Sequence, residues 1–279
     1  MRSMTKILCS TGAFSRDPDV TFPDHIVDMA HRVTCDGFEL ILYPAWYDRL
    51  DEVADLFRRS GVRWMTLHAE KSIGPLLGSG DRDNAARALR RLEANCSFAS
   101  QLDIPFLVLH LWGMPDSDRN IDTNLSYLDE CLMLAEAHGI ELSIETIPCL
   151  ESSPLAHIRR IISTFPDISI TLDSEFLAMH RELGAALQHV DVRSAVRHVH
   201  IKDFDGMMAN PDGSRRYLHP GQGTIDLSSF ISKVAELSQR PSLCLEATSV
   251  RRDGNVDVDQ VIADLAFIRH ATGTEPKIA

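Results

Sequence analysis

Glu145, Asp173, His200 and Glu246 each stand at or near the end of a short apolar run, namely Glu141 to Glu145, Ile168 to Asp173, Val196 to Lys202 and Ser242 to Ala247. A carboxylate buried without a partner costs several kcal/mol, so three carboxylates brought together need a cation to stay ionised. Three carboxylates and one imidazole suit a divalent metal ion, Mn²⁺, Mg²⁺, Co²⁺ or Zn²⁺, and the residue types do not select among these. His68 and His110 end two further runs, Arg63 to His68 and Phe106 to Leu111, and offer either a second metal position or a substrate contact. Glu39 reads as a substrate contact or as hydrogen-bonded support, and Lys202 as a charge to neutralise an oxyanion. His219 lies on a loop expected to border the site. His198 reads as a hydrogen-bonded packing residue.

These residues converge only if their runs are strands of one sheet. Period-two alternation puts Ser143 and Glu145 opposite Leu142 and Ile144, and Ser169, Thr171 and Asp173 opposite Ile168, Ile170 and Leu172. His198, His200 and Lys202 likewise oppose Val199 and Ile201, and Cys244 and Glu246 oppose Leu243 and Leu245. A barrel strand turns one face to the surrounding helices and the other to the axis, so the polar columns are expected to face the axis. With Lys6 to Ser10 and Phe38 to Tyr43 the strand candidates number eight. Between them, Asp81 to Leu102, Asn124 to Ala137, Asp226 to Ser238 and Val258 to His270 carry helical patterns and caps. Lys71 to Gly80 and Phe204 to Gly223 read as loops. Gly221-Gln222-Gly223 lacks the third glycine and the helix of a dinucleotide fingerprint and reads as turn chemistry.

Strict βα alternation predicts a parallel sheet, and eight units in 279 residues favour a single closed (β/α)₈ TIM barrel over residues 1–279. An apolar fraction of 44% with 24% charged residues is that of a soluble globular protein, with no composition shift that would mark a disordered half. The net charge of -12 makes nucleic acid a disfavoured partner, since the basic residues form pairs rather than a stripe. Six dispersed cysteines without a CxxC pair read as reduced thiols. Met1 to Thr5 lead straight into a strand-like run without signal-peptide features, and no apolar stretch approaches the ~18 residues of a membrane span. The expectation is a cytoplasmic protein that does not enter a membrane. Its oligomeric state is open, a homo-oligomer included.

The segments Ile144-Glu145-Thr146, Thr171-Leu172-Asp173, His198-Val199-His200-Ile201-Lys202-Asp203, His219-Pro220-Gly221-Gln222-Gly223-Thr224-Ile225-Asp226 and Leu245-Glu246 together resemble the xylose isomerase-like barrel superfamily. That superfamily holds sugar isomerases and epimerases, inosose dehydratases and endonuclease IV. Its epimerase branch implies that Glu145, Asp173, His200 and Glu246 ligate one metal and that the two glutamates exchange protons with substrate. The resemblance to endonuclease IV is weaker. Phe176 stands where that branch has a histidine three positions after Asp173, and Tyr217-Leu218-His219 replaces its Asp-x-His pair. The arginine that ketose epimerases place soon after the metal-binding histidine is missing from Asp203-Phe204-Asp205-Gly206.

The expected activity is therefore metal-dependent isomerisation or epimerisation of a small sugar or polyol-derived carbonyl compound. Two adjacent substrate oxygens would bind the ion while one glutamate removes the α-proton and the other returns one. An inosose-type dehydratase, with His219 as acid, is the nearest alternative, and phosphodiester cleavage at abasic DNA a more distant one.

Overall fold

Apolar runs alternating with amphipathic ones fold as β/α units because a strand buried on both faces needs helices on one side and a closed interior on the other. The computed structural model describes residues 5–15 and 22–273; Met1 to Met4 of the N-terminal stretch lie outside them. The strands are β1 (Ile7–Ser10), β2 (Gly37–Ile41), β3 (Trp64–His68), β4 (Phe106–Leu109), β5 (Glu141–Glu145), β6 (Ser169–Asp173), β7 (Val196–Ile201) and β8 (Ser242–Leu245). All pair in parallel in chain order, and β8 returns to β1 to close the barrel. Every run expected as a strand is one, shifted at its ends by a few residues at most.

The two faces separate as the alternation requires. Ile144, Ile170, Val199 and Leu245 join one apolar cluster with the helix residues Leu92, Ile161, Val234 and Ile268. On the other face, Glu39 of β2 touches His198 and His200 of β7. β1 and β8 stand between those two strands, so the contact runs through the barrel interior.

Several of the helices start where a side-chain cap satisfies free N–H groups. Asp81 accepts from the N–H groups of Asp83 and Asn84 to begin Arg82–Gln101, Asp226 caps Leu227–Ala235, and Asp257 caps Val258–Ala271. The single helix expected over Asn124 to Ala137 forms two, Ile121–Ser126 and Leu128–Ala137. Asn124 is buried, and its amide donates to the carbonyls of Gly74 and Leu111, which ties the first helix inward. Among the described residues no helix is long and apolar enough to cross a membrane, and the six cysteines are free thiols, five of them buried.

Lys71 to Gly80 corrects the expectation of a loop: Ile73–Leu77 is a short helix. Ile73 and Leu77, one turn apart, are fully buried, and Pro75 falls in the first turn, where its missing N–H costs nothing. Gly74 is there for contact, because a Cβ would overlap the His110 carbonyl oxygen and lie 2.8 Å from the Leu111 carbonyl carbon. Gly74→Ala should therefore destabilise the protein by about 1–3 kcal/mol, the usual cost of overpacking against backbone. Chemical denaturation checks this, and a loss under about 0.5 kcal/mol, the scatter of a surface change, would show that the contact yields freely.

Phe204 to Gly223 is a long connection without a helix or strand, held by isolated bridges such as Asp203 with Leu218. Its glycine turn wraps a carboxylate. Gly221, at φ +86°, donates its N–H to Asp203 Oδ2 at 2.8 Å, and a Cβ on Gly223 would overlap Asp203 Oδ1.

Candidate active site

A parallel barrel delivers the last side chain of each strand to one rim, where the following loops gather. Glu145 ends β5, Asp173 ends β6, His200 lies in β7, and Glu246 directly follows β8. One ligand-type atom from each lies within 4.8 Å of all the others, and all four residues are buried. Their register brings this about: Glu145 stands beside Thr171, and Asp173 beside His200, on neighbouring strands.

The imidazole of His200 is oriented from behind. Its Nε2 and that of His198 both contact Glu39 Oε2, at 3.1 and 3.0 Å, and a carboxylate can only accept, so both Nε2 atoms carry protons. His200 Nδ1 then faces the rim, 2.9 Å from Glu145 Oε1 and 3.5 Å from Glu246 Oε2. Burial disfavours a charged ring, but Glu39, Glu145 and Glu246 outweigh it and hold His200 well above the ordinary imidazole range. Glu39 Oε2 thus holds both rings by hydrogen bonds. His198 is a packing residue as expected, with Nδ1 2.6 Å from Ser242 Oγ.

His68 and His110 flank Glu145. Their Nε2 atoms lie 3.3 and 2.7 Å from Glu145 Oε2, and these three residues form a second converging group. Burial pushes His110 down to about 4 despite the adjacent Glu145 carboxylate, so it is a neutral imidazole at pH 7. Burial opposes ionisation of Glu145, yet His200 and His110 keep it well below the usual carboxylate range.

Lys202 reaches further into the cluster than its sequence position conveys. Its ammonium lies 2.6 Å from Asp173 Oδ2 and 2.7 Å from Glu246 Oε2. Burial raises Asp173 to about 7, and Glu145, Glu246 and Glu175 add to the rise against the pull of Lys202. Glu246 goes the other way: burial opposes its charge, but Lys202, His200 and Lys71 hold it below the usual range. The carboxylates thus exceed what one lysine neutralises, which is the condition for taking up a further cation.

The donor set fits a divalent ion in two respects. Three carboxylates and an imidazole nitrogen converge, and two of the buried oxygens, Glu145 Oε2 and Asp173 Oδ2, lack a well-aligned hydrogen bond even with His110 and Lys202 close by. Glu145, Asp173, His200 and Glu246 would hold such an ion.

Above the rim opens a cavity of about 380 Å³, and Lys202 and Glu246 form part of its lining. Tyr43, Phe176 and Tyr217 bring rings to it, and Lys71 and Arg215 bring charge. Phe176 and Tyr217, the two departures from the endonuclease pattern, are therefore cavity walls. Arg215 and Glu175 escaped the sequence reading: Arg215 comes from the loop after β7, and Glu175 lies in the first turn of the helix that Asp173 caps. They pair at 2.5 Å.

His219 is not part of this cavity lining. Its Nδ1 lies 2.6 Å from Asp264 Oδ2 on the helix Val258–Ala271, so it clips the loop to that helix. A second overlooked group, Asp118, Cys149 and His157, also converges. There the Asp118 oxygens already accept from the N–H groups of Leu150, Glu151 and Ser152 and lie against His157, an arrangement that clamps a loop.

A closed eight-stranded parallel barrel with its ionisable groups gathered at the strand ends is a TIM barrel. The chain belongs to the xylose isomerase-like TIM barrel family, whose sequence model matches residues 27–270. It is 23% identical over 189 residues to an uncharacterised protein of Methanocaldococcus jannaschii, covering 58% of this chain. The chain thus spans about three fifths, 59%, of that curated relative's length. Solved structures of similar fold include a D-psicose 3-epimerase from Clostridium cellulolyticum H10 with D-tagatose, at TM-score 0.71 and 14% identity over 96% of this chain and 99% of that one. A D-allulose 3-epimerase from Methylomonas sp. with D-allulose gives 0.69 and 16% over 96% and 97%. A 3-keto-D-glucoside 4-epimerase from E. coli gives 0.67 and 20% over 95% and 99%. At these identities the likeness is one of fold.

Proposed function

We propose that the chain is a divalent-metal-dependent isomerase or epimerase that moves a proton beside the carbonyl of a small sugar or polyol-derived substrate. The observation that carries this reading is the meeting of Glu145 and Glu246, from β5 and β8, on the one nitrogen His200 Nδ1. When bound, a divalent ion supplies electrophilic assistance to the substrate carbonyl and offsets the charge of the carboxylates.

The chain's own groups divide the proton work. Glu246 faces the cavity and is held ionised, so it is placed to accept the α-proton at Oε1 or Oε2. Glu145 lies deeper, with Nε2 of the neutral His110 2.7 Å from its Oε2 to orient it, and is placed to return to the substrate a proton taken up from solvent. Lys202 presents an ammonium to the oxyanion that develops on the substrate. Phe176, Tyr43 and Tyr217 wall the cavity and exclude water from the enediolate. The dehydratase alternative needs an acid in the cavity, and His219 is turned toward Asp264 instead.

Incubation in D₂O with a panel of ketoses and hydroxy-carbonyl acids, with Mn²⁺ supplied, tests the reading. One solvent deuteron is expected at the α-carbon of the epimerised product. Product that retains the original hydrogen would exclude proton exchange, and a dehydrated product would favour the lyase.

A further inference from the structure

Asp173 has one oxygen to give. Its Oδ1 accepts the N–H of Phe176 at 2.8 Å, capping the helix that follows β6, so only Oδ2 faces the cluster. Lys202 Nζ lies 2.6 Å from that Oδ2 and 2.7 Å from Glu246 Oε2. A divalent ion held by Asp173 needs that same Oδ2, and two cations cannot share it at bonding distance.

A landing place stands beside the lysine. Glu175 Oε2 is buried without a hydrogen bond, 3.9 Å from Lys202 Nζ, while Glu175 Oε1 is occupied by Arg215 at 2.5 Å. The base of the lysine is fixed near this acceptor: Ser174 Oγ donates to the Lys202 carbonyl at 2.6 Å and accepts the Lys202 N–H at 2.9 Å. The Phe176 ring lies 4.4 Å from Nζ. A short swing of a flexible four-carbon stem thus exchanges one pair of carboxylates for another without moving the backbone.

We propose that Lys202 is an exchangeable counter-cation: a divalent ion entering at Glu145, Asp173, His200 and Glu246 displaces its ammonium from Asp173 and Glu246 onto Glu175. The inference rests on the metal reading above and adds a positioning role for two residues. Lys202 neutralises the cluster, sets the threshold for ion binding, and is delivered on displacement to the cavity wall. Glu175 stabilises the displaced position.

Calorimetric titration of Mn²⁺ into chelator-treated protein tests this on wild type, Lys202→Met, Glu175→Gln and the double variant, with thermal melts confirming the fold. Lys202→Met should bind Mn²⁺ about tenfold or more tightly, because the competing charge is gone. Glu175→Gln should weaken binding in the presence of Lys202 and have little effect in the Lys202→Met background. Equal weakening in both backgrounds would reduce Glu175 to a remote charge and overturn the exchange. Wild type that binds Mn²⁺ no more weakly than Lys202→Met also overturns it while leaving the metal reading intact. Failure of every variant to bind a divalent ion removes both. Should Lys202→Met not fold, Lys202→Gln carries the same expectations.

Discussion

Glu145→Gln and Glu246→Gln should each lower turnover by about 10²–10⁴-fold, the range that positioned acid–base groups contribute, while the protein remains folded. An amide keeps the shape of the carboxylate but cannot accept a proton at the working pH. The two variants should fail differently. Glu246 faces the cavity, so its loss should abolish both product formation and exchange of the substrate α-hydrogen with D₂O. Glu145 lies beneath it with His110 at 2.7 Å, so Glu145→Gln should block the return step and still allow exchange into recovered substrate. Normal turnover in either variant would end the two-glutamate scheme; identical exchange behaviour would end the division of labour between them.

This scheme depends on charge balance within a closed space. Five acidic side chains, those of Glu39, Glu145, Asp173, Glu175 and Glu246, are buried near one another, with Lys202 among them and His200 charged between Glu39 and Glu145. Burial, with Glu145, Glu246 and Glu175 adding to it, raises Asp173 to about 7. Such an imbalance favours uptake of a further cation, for the same reason that a lone buried carboxylate takes up a proton.

The strand ends were legible because alternation is a local property: Ser169, Thr171 and Asp173 against Ile170 and Leu172 assign a face without reference to any other strand. Closure was legible from the repetition of the unit. What the chain did not reveal locally were contacts set by closure itself. Glu39 meets His198 and His200 from across the barrel, 159 and 161 residues away, and no spacing rule reaches that far. Lys202 was visible as a cation in the polar column, but its reach to Asp173 and Glu246 depends on stem conformation. Glu175 was hidden because an acidic residue in the first turn of a helix already has an explanation in the helix dipole. Arg215 was hidden in a connection whose path follows the glycine turn around Asp203. His219 matched a motif, yet in the fold the motif serves to fasten a loop to the last helix.

The loop after β5 supplies the second large effect: Asp118→Ala should cost about 3–5 kcal/mol of stability, comparable to breaking a buried charged pair. Asp118 is 3% exposed. Its Oδ1 accepts from Leu150 N at 2.7 Å and Glu151 N at 3.1 Å, and its Oδ2 from Ser152 N at 2.9 Å. His157 Nε2 is 2.9 Å from Oδ2, and removal of the carboxylate leaves all these groups inside without an acceptor. Burial opposes the Asp118 charge, but His157 and the three backbone N–H groups prevail and depress it below the usual carboxylate range. A depressed folded value means that the stabilisation is complete above the unfolded value of about 3.9 and is lost as pH falls through the folded one. The stability gap between wild type and Asp118→Ala, measured by urea denaturation, should therefore be flat from pH 7 to about 5 and shrink below about 4. Because the clamped loop continues from the strand that carries Glu145, the variant should also lose turnover at temperatures where it is still folded. A gap below about 1 kcal/mol at pH 7 would mean that water replaces the carboxylate at these N–H groups and that the clamp contributes little.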